Sequence, residues 1–479
     1  MSLPTTLTLQ ELKTALHTAL HARRTVGGTA ESLLAFLLLV QEQRACVARD
    51  GSPATLRLAT NQVLETGLQI LAKQNAQQAA VLRARFPEDN TLRATGNRLN
   101  LSSEQVSRIQ KKALNSLAAI LLDQEQTVRE ARVQTIEANL PPPAYLHLFG
   151  LDAVQNLLVE KLLSPKAPWV VAIQGIGGIG KTALADAVIR RVIRHFHYED
   201  VIYLRLKHQQ RATHPPSSLL SFEILMADLA LRLCPDMPDG VPVKQQEIEV
   251  RQALKSRPYL VVIDNLETQA DMAYLLTRLS DLARPGKFLL TSRTRPFGQT
   301  PVFAHSLDEL SFKDTAALVR HRAEVTGTAA KVDTSQEALQ TLYEVVGGNP
   351  LALIIIVGLA RVLPMQKILA ELSQSRVGPA APIEKMYLRI YWQAWQTLSA
   401  EARALLQAMP LIAASGALPD QLQAICDLSE AQFWPAVTEL FGRSLLEVRG
   451  TPQQKRYAIH RLTETFLRTE IIHWPEETL

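Results

Sequence analysis

Cysteine is scarce in this chain. Only Cys46, Cys234 and Cys426 occur among 479 residues, far apart, with no CxxC pair and no Cys/His cluster. That excludes a disulfide framework and a thiolate metal site, and it points to a reducing, cytoplasmic setting. Long apolar runs are missing too. SLLAFLLLV (32–40) and LALIIIVGLA (351–360) are the longest, well short of the roughly 20 residues that span a bilayer. They read as buried core helices, and no membrane partner is expected. The N-terminus, MSLPTTLTLQELK, has no basic region followed by an apolar stretch, so no secretory signal is expected. No sequence repeat with a period of 20–50 residues is seen, which argues against a solenoid or propeller. Residues 8–80 hold no nucleophile–histidine–acid set, so an enzymatic effector is not expected there. Charge of either sign is nearly balanced. The net charge of +5 and the pI near 9.0 allow a nucleic-acid partner without arguing for one.

What is present is core-forming material. Hydrophobic residues make up 47% and charged residues 20%, the balance of a folded chain of several domains. Residues 8–85 carry apolar side chains at helical spacing, and a second helical stretch runs from Thr91 to about Ile136. ANLPPPAY (138–145) then interrupts the pattern, since consecutive prolines cannot continue a helix. Beyond it, WVVAI (169–173), VIYLRL (201–206), YLVVID (259–264) and KFLLTS (287–292) are short apolar runs separated by helical patterns. Strands alternating with helices indicate an α/β domain with a mainly parallel sheet. After about residue 305 the pattern is helical, apart from a possible hairpin in 444–460.

The first of these strands opens onto a glycine-rich loop. VVAIQGIGGIGKTALADAVIRR (170–191) contains GxxxxGK[ST] between a strand and an alanine-rich helix. Glycines let successive N–H groups converge on phosphate oxygens, and the helix N-terminus adds partial positive charge. Gly175, Gly177, Gly178, Gly180, Lys181, Thr182 and Ala183 are therefore the expected nucleotide-binding residues. Lys181 is expected to reach the β- and γ-phosphates, and Thr182 to hold Mg2+ through its hydroxyl. The carboxylate that such a metal needs is assigned to Asp264, at the end of RPYLVVIDNLE (257–267). Asn265 follows it, and an amide cannot take a proton from water. Slow hydrolysis is the expectation. Glu267 is either a substitute base or a solvated loop charge. Arg293, just after KFLLTS, is either a sensor of the γ-phosphate or an ordinary surface arginine. No NKxD-type guanine-reading motif is seen.

GIGGIGKT, IDNLE, LLTSR and GGNPLAL (347–353), in that order, resemble the STAND ATPases of the NB-ARC type. That family includes plant disease-resistance proteins, apoptotic ATPases and bacterial signalling ATPases. The resemblance covers about 145–470. It implies an ATP/ADP-binding core with Mg2+, a helical subdomain and a winged-helix subdomain. It also implies a switch in which ADP holds a closed form and ATP opens it, often with oligomerisation. By motif, Gly348 and Pro350 would lie against the adenine and His460 would touch the ADP phosphate. LFGLD (148–152) resembles the family's motif beside the adenine, with Leu151 where arginine is usual. Asn265 stands where many members have a second acidic residue. Most members continue into a repeat array that senses the trigger. Here the sensing is expected in a missing segment, in the N-terminal domain, at the nucleotide site itself or in a separate partner.

The stretch before the prolines has its own signature. Ser102 to Gln105 is a capping-box pattern that starts a helix at about 103. Val106, Ile109, Ala113 and Leu117 fall on one face, and Glu104, Ser107, Arg108, Lys111 and Lys112 largely on the other. TLRATGNRL (91–99) makes a preceding helix, with the turn at Asn100-Leu101. This is helix-turn-helix form. Between residues 83 and 112, seven basic residues stand against three acidic ones, an excess that phosphate contacts require. FPEDNTLRATGNRLNLSSEQVSRIQKKALNSL (86–117) resembles the promoter-reading helix-turn-helix of bacterial sigma factors. The match includes Gly96, Leu99, Leu101, Glu104, Val106, Lys112 and Leu117. Ser103 and Ser107 stand where that family places arginines. Two readings stay open. In one, Glu104 and Arg108 touch bases while Lys111 and Lys112 touch phosphates. In the other, the fold docks a protein effector or RNA polymerase.

The expected fold class is multidomain α and α/β. A helical N-terminal domain (1–140) carries a helix-turn-helix at 91–118. A P-loop NTPase domain with a parallel sheet (145–305), a helical subdomain (306–378) and a winged-helix subdomain (379–479) follow. The expected function is a slow, signalling ATPase whose nucleotide state gates oligomerisation and DNA binding, in transcription control or defence. The rival is a nucleotide-gated scaffold that recruits a protein effector.

Overall fold

The computed structural model describes residues 8–472 except 23–32, 48–51, 87, 89, 144, 206–217, 239, 267–268, 294–301, 328, 330–331, 374–382, 413–415 and 451–454. The chain divides into two compact units, one of residues 1–138 with 192–197, the other of 139–191 with 198–479.

The first unit is helical: α1 (Leu9–Ala22), α2 (Leu38–Val47), α3 (Pro53–Gln74), α4 (Ala76–Arg85), α5 (Leu92–Leu99) and the long α6 (Ser103–Ala138). Side-chain oxygens stop fraying at the starts. Ser52 caps α3, Asn75 caps α4 and Thr91 caps α5. Leucines from α1, α3 and α6, among them Leu12, Leu16, Leu64, Leu68, Leu117 and Leu121, close one apolar core. One carboxylate sits in this interior. Glu125 is 1% exposed, accepts from Leu38 N and Leu39 N at 3.1 and 2.9 Å, and pairs with Arg129 Nε at 2.7 Å. It satisfies the first amides of α2, which otherwise have no intrahelical acceptor.

The second unit opens with α7 (Asp152–Leu163), β1 (Val170–Gln174) and α8 (Lys181–Val192). β2 (Asp200–Arg205), α9 (Ser218–Leu233), α10 (Val243–Ser256), β3 (Tyr259–Leu266), α11 (Gln269–Leu282), β4 (Lys287–Ser292) and β5 (Val302–Ser306) complete a parallel sheet in the order β2-β3-β4-β1-β5. β1, β3 and β4 are buried nearly throughout, as expected of a sheet covered on both faces. β5 goes beyond the strand runs expected from sequence. It is an edge strand, paired only with β1 and half exposed, so it carries no continuous apolar run. The helices α12 (Phe312–Val325), α13 (Gln336–Val346), α14 (Pro350–Leu359), α15 (Met365–Ser373), α16 (Ile383–Gln396), α17 (Ala400–Ala408), α18 (Pro419–Cys426), α19 (Glu430–Gly442) and α20 (Arg461–Phe466) follow. An antiparallel hairpin of β6 (Glu447–Gly450) and β7 (Lys455–Ala458) sits between α19 and α20. A single apolar cluster runs from Leu310 to Leu467. Helical and hairpin parts therefore share one core. Among the described residues, no helix is long and apolar enough to cross a membrane.

Candidate functional site

The loop after β1 leaves the sheet at its carboxyl edge, where open α/β sheets place ligand crevices. Gly175, Gly178 and Gly180 have φ of 154°, 72° and 101°, conformations that side chains with a Cβ rarely adopt. A Cβ on Gly180 would meet nothing within 4 Å, so the loop borders open space at that residue. Lys181 and Thr182 begin α8, with Ala183 next in the same turn. Lys181 Nζ donates to the carbonyls of Gly175 and Ile176, both at 2.8 Å. Its ammonium thus lies along the loop's own rim.

The acidic partner comes from β3, with β4 lying between β3 and β1. Asp264 is 1% exposed. Its Oδ1 accepts from Thr182 Oγ1 at 2.9 Å and from Thr291 Oγ1 at 2.6 Å. Its Oδ2 accepts from the Tyr203 hydroxyl at 2.9 Å, and Arg205 Nε stands 3.7 Å away. Burial and the neighbouring Asp264 carboxylate push the Tyr203 phenol far up, so it stays a donor. Asn265 turns left-handed, at φ 77°, where the β3–β4 pairing slips between Ile263 and Leu266. Asn265 N donates to Thr291 Oγ1 at 2.9 Å. A hydroxyl and a carboxylate 2.9 Å apart at the mouth of an open glycine loop are hard oxygen donors. They suit Mg2+ beside phosphate, a cation that keeps several waters and takes one or two protein oxygens.

The GGNP turn meets the same loop. Asn349 Nδ2 donates to Gly177 O at 3.1 Å, and Leu351 N donates to Gly178 O at 3.3 Å. Gly348 is packed so closely that a Cβ would lie 2.1 Å from Leu310 O. Pro350 is half-buried as the first residue of α14. Arg293 is exposed just past β4. His460 is half-buried at the head of α20. Glu267 lies outside the described residues. Tyr203, Thr291 and Asn349 were not among the residues singled out from sequence. Tyr203 and Thr291 sit inside apolar strand runs, which mask their hydroxyls.

The helix-turn-helix is built from α5 and α6. Asn100 closes α5 at φ 53°. Leu101 N returns to Gly96 O at 2.9 Å, and a Cβ on Gly96 would lie 2.5 Å from Leu101 O. Ser102 and Gln105 form the reciprocal cap, Gln105 N to Ser102 Oγ at 3.1 Å and Ser102 N to Gln105 Oε1 at 2.8 Å. Val106, Ala113 and Leu117 are buried, while Ile109 is half-buried. Glu104, Arg108, Lys111 and Lys112 lie on the outer face, all four exposed. None of these four makes a side-chain hydrogen bond or ion pair among the described residues. Other basic residues of this stretch hold the scaffold together. Arg83 pairs with Glu65 at 3.1 Å, Arg98 pairs with Glu88, and Arg85 Nε donates to Gln110 Oε1 at 3.0 Å.

Loop, carboxylate and parallel sheet define the P-loop class of nucleotide-binding folds. Residues 151–317 match the NB-ARC domain, and residues 70–119 match sigma-70 region 4. Among curated proteins, the chain is 24% identical over 263 residues to disease resistance protein Pik-2 of Oryza sativa subsp. japonica, covering 45% of this chain and 26% of that one. It is 26% identical over 230 residues to disease susceptibility protein LOV1 of Arabidopsis thaliana, covering 44% and 23%. The chain spans only about a tenth to three tenths of the length of the curated relatives it matches. Among solved structures it is similar to a STAND protein with a tetratricopeptide repeat sensor from Pyrococcus horikoshii. That match has 17% identity and a TM-score of 0.44, and it covers 68% of this chain and 43% of that one.

Proposed function

We propose that this chain is an ATP/ADP-dependent switch whose nucleotide state gates self-association and DNA binding by the helix-turn-helix. The observation that carries the nucleotide part is the Thr182–Asp264 hydrogen bond at the mouth of the open glycine loop. In this reading Gly175, Gly177, Gly178, Gly180 and Ala183 cradle the phosphates, Lys181 pairs with them, and Thr182 and Asp264 hold Mg2+. The metal, when bound, offsets phosphate charge. Tyr203 and Thr291 keep the Asp264 carboxylate in place. Gly348 and Pro350 lie against the adenine, Arg293 senses the terminal phosphate, and His460 reports the nucleotide to the C-terminal part. Hydrolysis is slow, because an amide follows Asp264. The working parts of the reading are the NTPase domain (145–305), helical subdomain (306–378) and winged-helix subdomain (379–479).

On the output side, Glu104 and Arg108 are the base readers and Lys111 and Lys112 the phosphate contacts. Carboxylates accept from cytosine and arginine reads guanine in the major groove. The solvent-facing placement of all four, with no internal partner among the described residues, supports this reading. The test combines two measurements on the full chain, mass by light scattering and duplex binding at low salt, each in ADP and in ATP. Higher mass and tighter DNA binding in ATP are expected. Equal values in both nucleotides sink the gating. No affinity for any duplex leaves the helix-turn-helix as a docking module for a protein effector.

A further inference from the structure

The loop's shape is held by a residue well outside it. Asn349 is 0% exposed, and its side chain works in two directions. Its Oδ1 accepts from Leu351 N at 3.1 Å and Ala352 N at 3.4 Å, capping α14. Its Nδ2 donates to Gly177 O at 3.1 Å. Two residues on, Leu351 N donates to Gly178 O at 3.3 Å. Two successive loop carbonyls are therefore held toward the first turn of α14. In a planar trans peptide the C=O of one residue and the N–H of the next point in opposite directions. Fixing Gly177 O and Gly178 O thus fixes the N–H groups of Gly178 and Ile179 away from α14. A glycine-rich loop has a low barrier to peptide reorientation. A flipped peptide would aim a carbonyl oxygen, not an N–H, at a phosphate. The turn that presents Asn349 is itself rigid: Leu310 N donates to Gly348 O at 2.9 Å, and Gly348 N donates to Glu309 Oε2 at 3.1 Å.

We infer that Asn349 is a positioning residue for phosphate binding. It holds the Gly177–Gly178 peptide so that the loop's N–H groups face a diphosphate. Phosphate binding and the seating of α14 on the loop then favour each other, as linkage requires. The inference rests on the reading of this loop as a nucleotide site.

Two variants separate the roles of this side chain. Asn349→Asp keeps the capping oxygen but sets a carboxylate against Gly177 O. Asn349→Ser keeps a good cap, and its hydroxyl is too short to span to Gly177 O. Affinity is measured by calorimetry for ADP and for inorganic pyrophosphate, with apo melting in parallel. The expected result is a loss of about tenfold for both ligands, by a similar factor, the scale of one lost hydrogen bond. A loss confined to ADP would place the effect at the base and overturn the inference. So would wild-type affinity for both ligands in a cooperatively melting Asn349→Ser chain. Should Asn349→Asp fail to fold, Asn349→Ser alone decides. A wild-type chain that binds neither ligand refutes the nucleotide reading itself and this inference with it.

Discussion

The loop after β1 and the outer face of α6 are both proposed here as ligand sites, and they are made in opposite ways. At the loop, contacts converge from far along the chain: Thr182 from α8, Tyr203 from β2, Asp264 from β3, Thr291 from β4 and Asn349 from the start of α14. Most of these side chains are buried and bonded to one another. On α6, Glu104, Arg108, Lys111 and Lys112 face solvent, and the bonding lies beneath them, in Gly96, Asn100 and the Ser102–Gln105 cap. A site of the first kind is limited by geometry and should respond sharply to single buried substitutions. A site of the second kind is limited by charge and should respond to salt, with little effect on folding.

The largest expected effect is at Lys181. Lys181→Ala should lower nucleotide affinity by about a hundredfold or more, since hydrogen bonds to charged groups are worth ~1.5–3 kcal/mol each and the ammonium makes several. Calorimetry with ADP checks this. Wild-type affinity would remove the loop from the nucleotide reading, whereas duplex binding by α6 in the absence of nucleotide should be unaffected.

Asp264 tests whether the loop's preorganisation is also a matter of stability. Asp264→Ala strands the donors of Thr182, Thr291 and Tyr203, two of them buried. A buried donor left unsatisfied costs ~1–3 kcal/mol, so the variant should lose about 3 kcal/mol in urea unfolding, together with the Mg2+ dependence of nucleotide affinity. Glu104→Ala, the matched removal of a carboxylate from α6, should stay within about 0.5 kcal/mol of wild type. Equal costs for the two would erase the distinction drawn between the regions.

A third prediction concerns the opposite edge of the same sheet. Lys287 begins β4 and is 2% exposed. Its Nζ donates to Lys161 O and Lys166 O at 2.5 and 3.1 Å and lies 5.7 Å from the Trp169 ring centre. Burial, with the Lys161 charge second, lowers its pKa to about 8 from 10.5. The folded chain therefore releases this proton before the unfolded chain does. Where the unfolded state binds more protons, stability rises with pH. Lys287 should make urea midpoints climb from about pH 8 toward pH 10, against an opposing fall near the top of that window from the buried Tyr198 and Tyr203 phenols, which stay protonated in the folded chain while those of the unfolded chain ionise. A tenfold difference in proton affinity between the folded and unfolded chains corresponds to about 1.4 kcal/mol. Lys287→Met should flatten that rise, and an unchanged slope in the variant would refute the assignment.

How far the sequence could be read follows the same division. The parallel strands were legible because buried strands are continuous apolar runs, and the glycine loop because its chemistry is local. The two helices of the helix-turn-helix were legible for a similar reason, since cap, turn and periodicity all lie within about thirty residues. Long-range bonding was not legible. Nothing in VIYLRL marks Tyr203 as a partner of Asp264, because strand register brings them together: Arg205 pairs with Asp264 across the β2–β3 ladder, so Tyr203 stands one step down the same face. β5 escaped notice because an edge strand needs no apolar run. Lys287 is simply the first letter of KFLLTS, and only the packing of Lys161, Lys166 and Trp169 around it shows it buried. Asn349 was visible as part of a motif, but its bond to a loop some 170 residues earlier was not. In the charge count of 83–112, Arg83, Arg85 and Arg98 weighed as much as Lys111 and Lys112. The structure separates them, because the first three are bonded within the scaffold.

That separation yields the smallest and most discriminating prediction. If the exposed lysines contact phosphates, removing them should weaken binding to every duplex by a similar modest factor, whatever its sequence. Each phosphate contact contributes about 0.9 to the slope of log K against log salt for B-DNA. The Lys111→Ala, Lys112→Ala double variant should therefore bind DNA with a slope lower by about two. Arg83→Ala should leave that slope near its wild-type value and lower stability instead, by an amount typical of an exposed pair, ~0.2–1 kcal/mol. Filter binding from low to moderate salt reads the first effect and urea unfolding the second. An Arg83 variant that changes the slope as much as the lysine pair would mean that DNA reaches the α3–α4 side of the unit. The proposed contact surface would then have to be moved from α6 to that face.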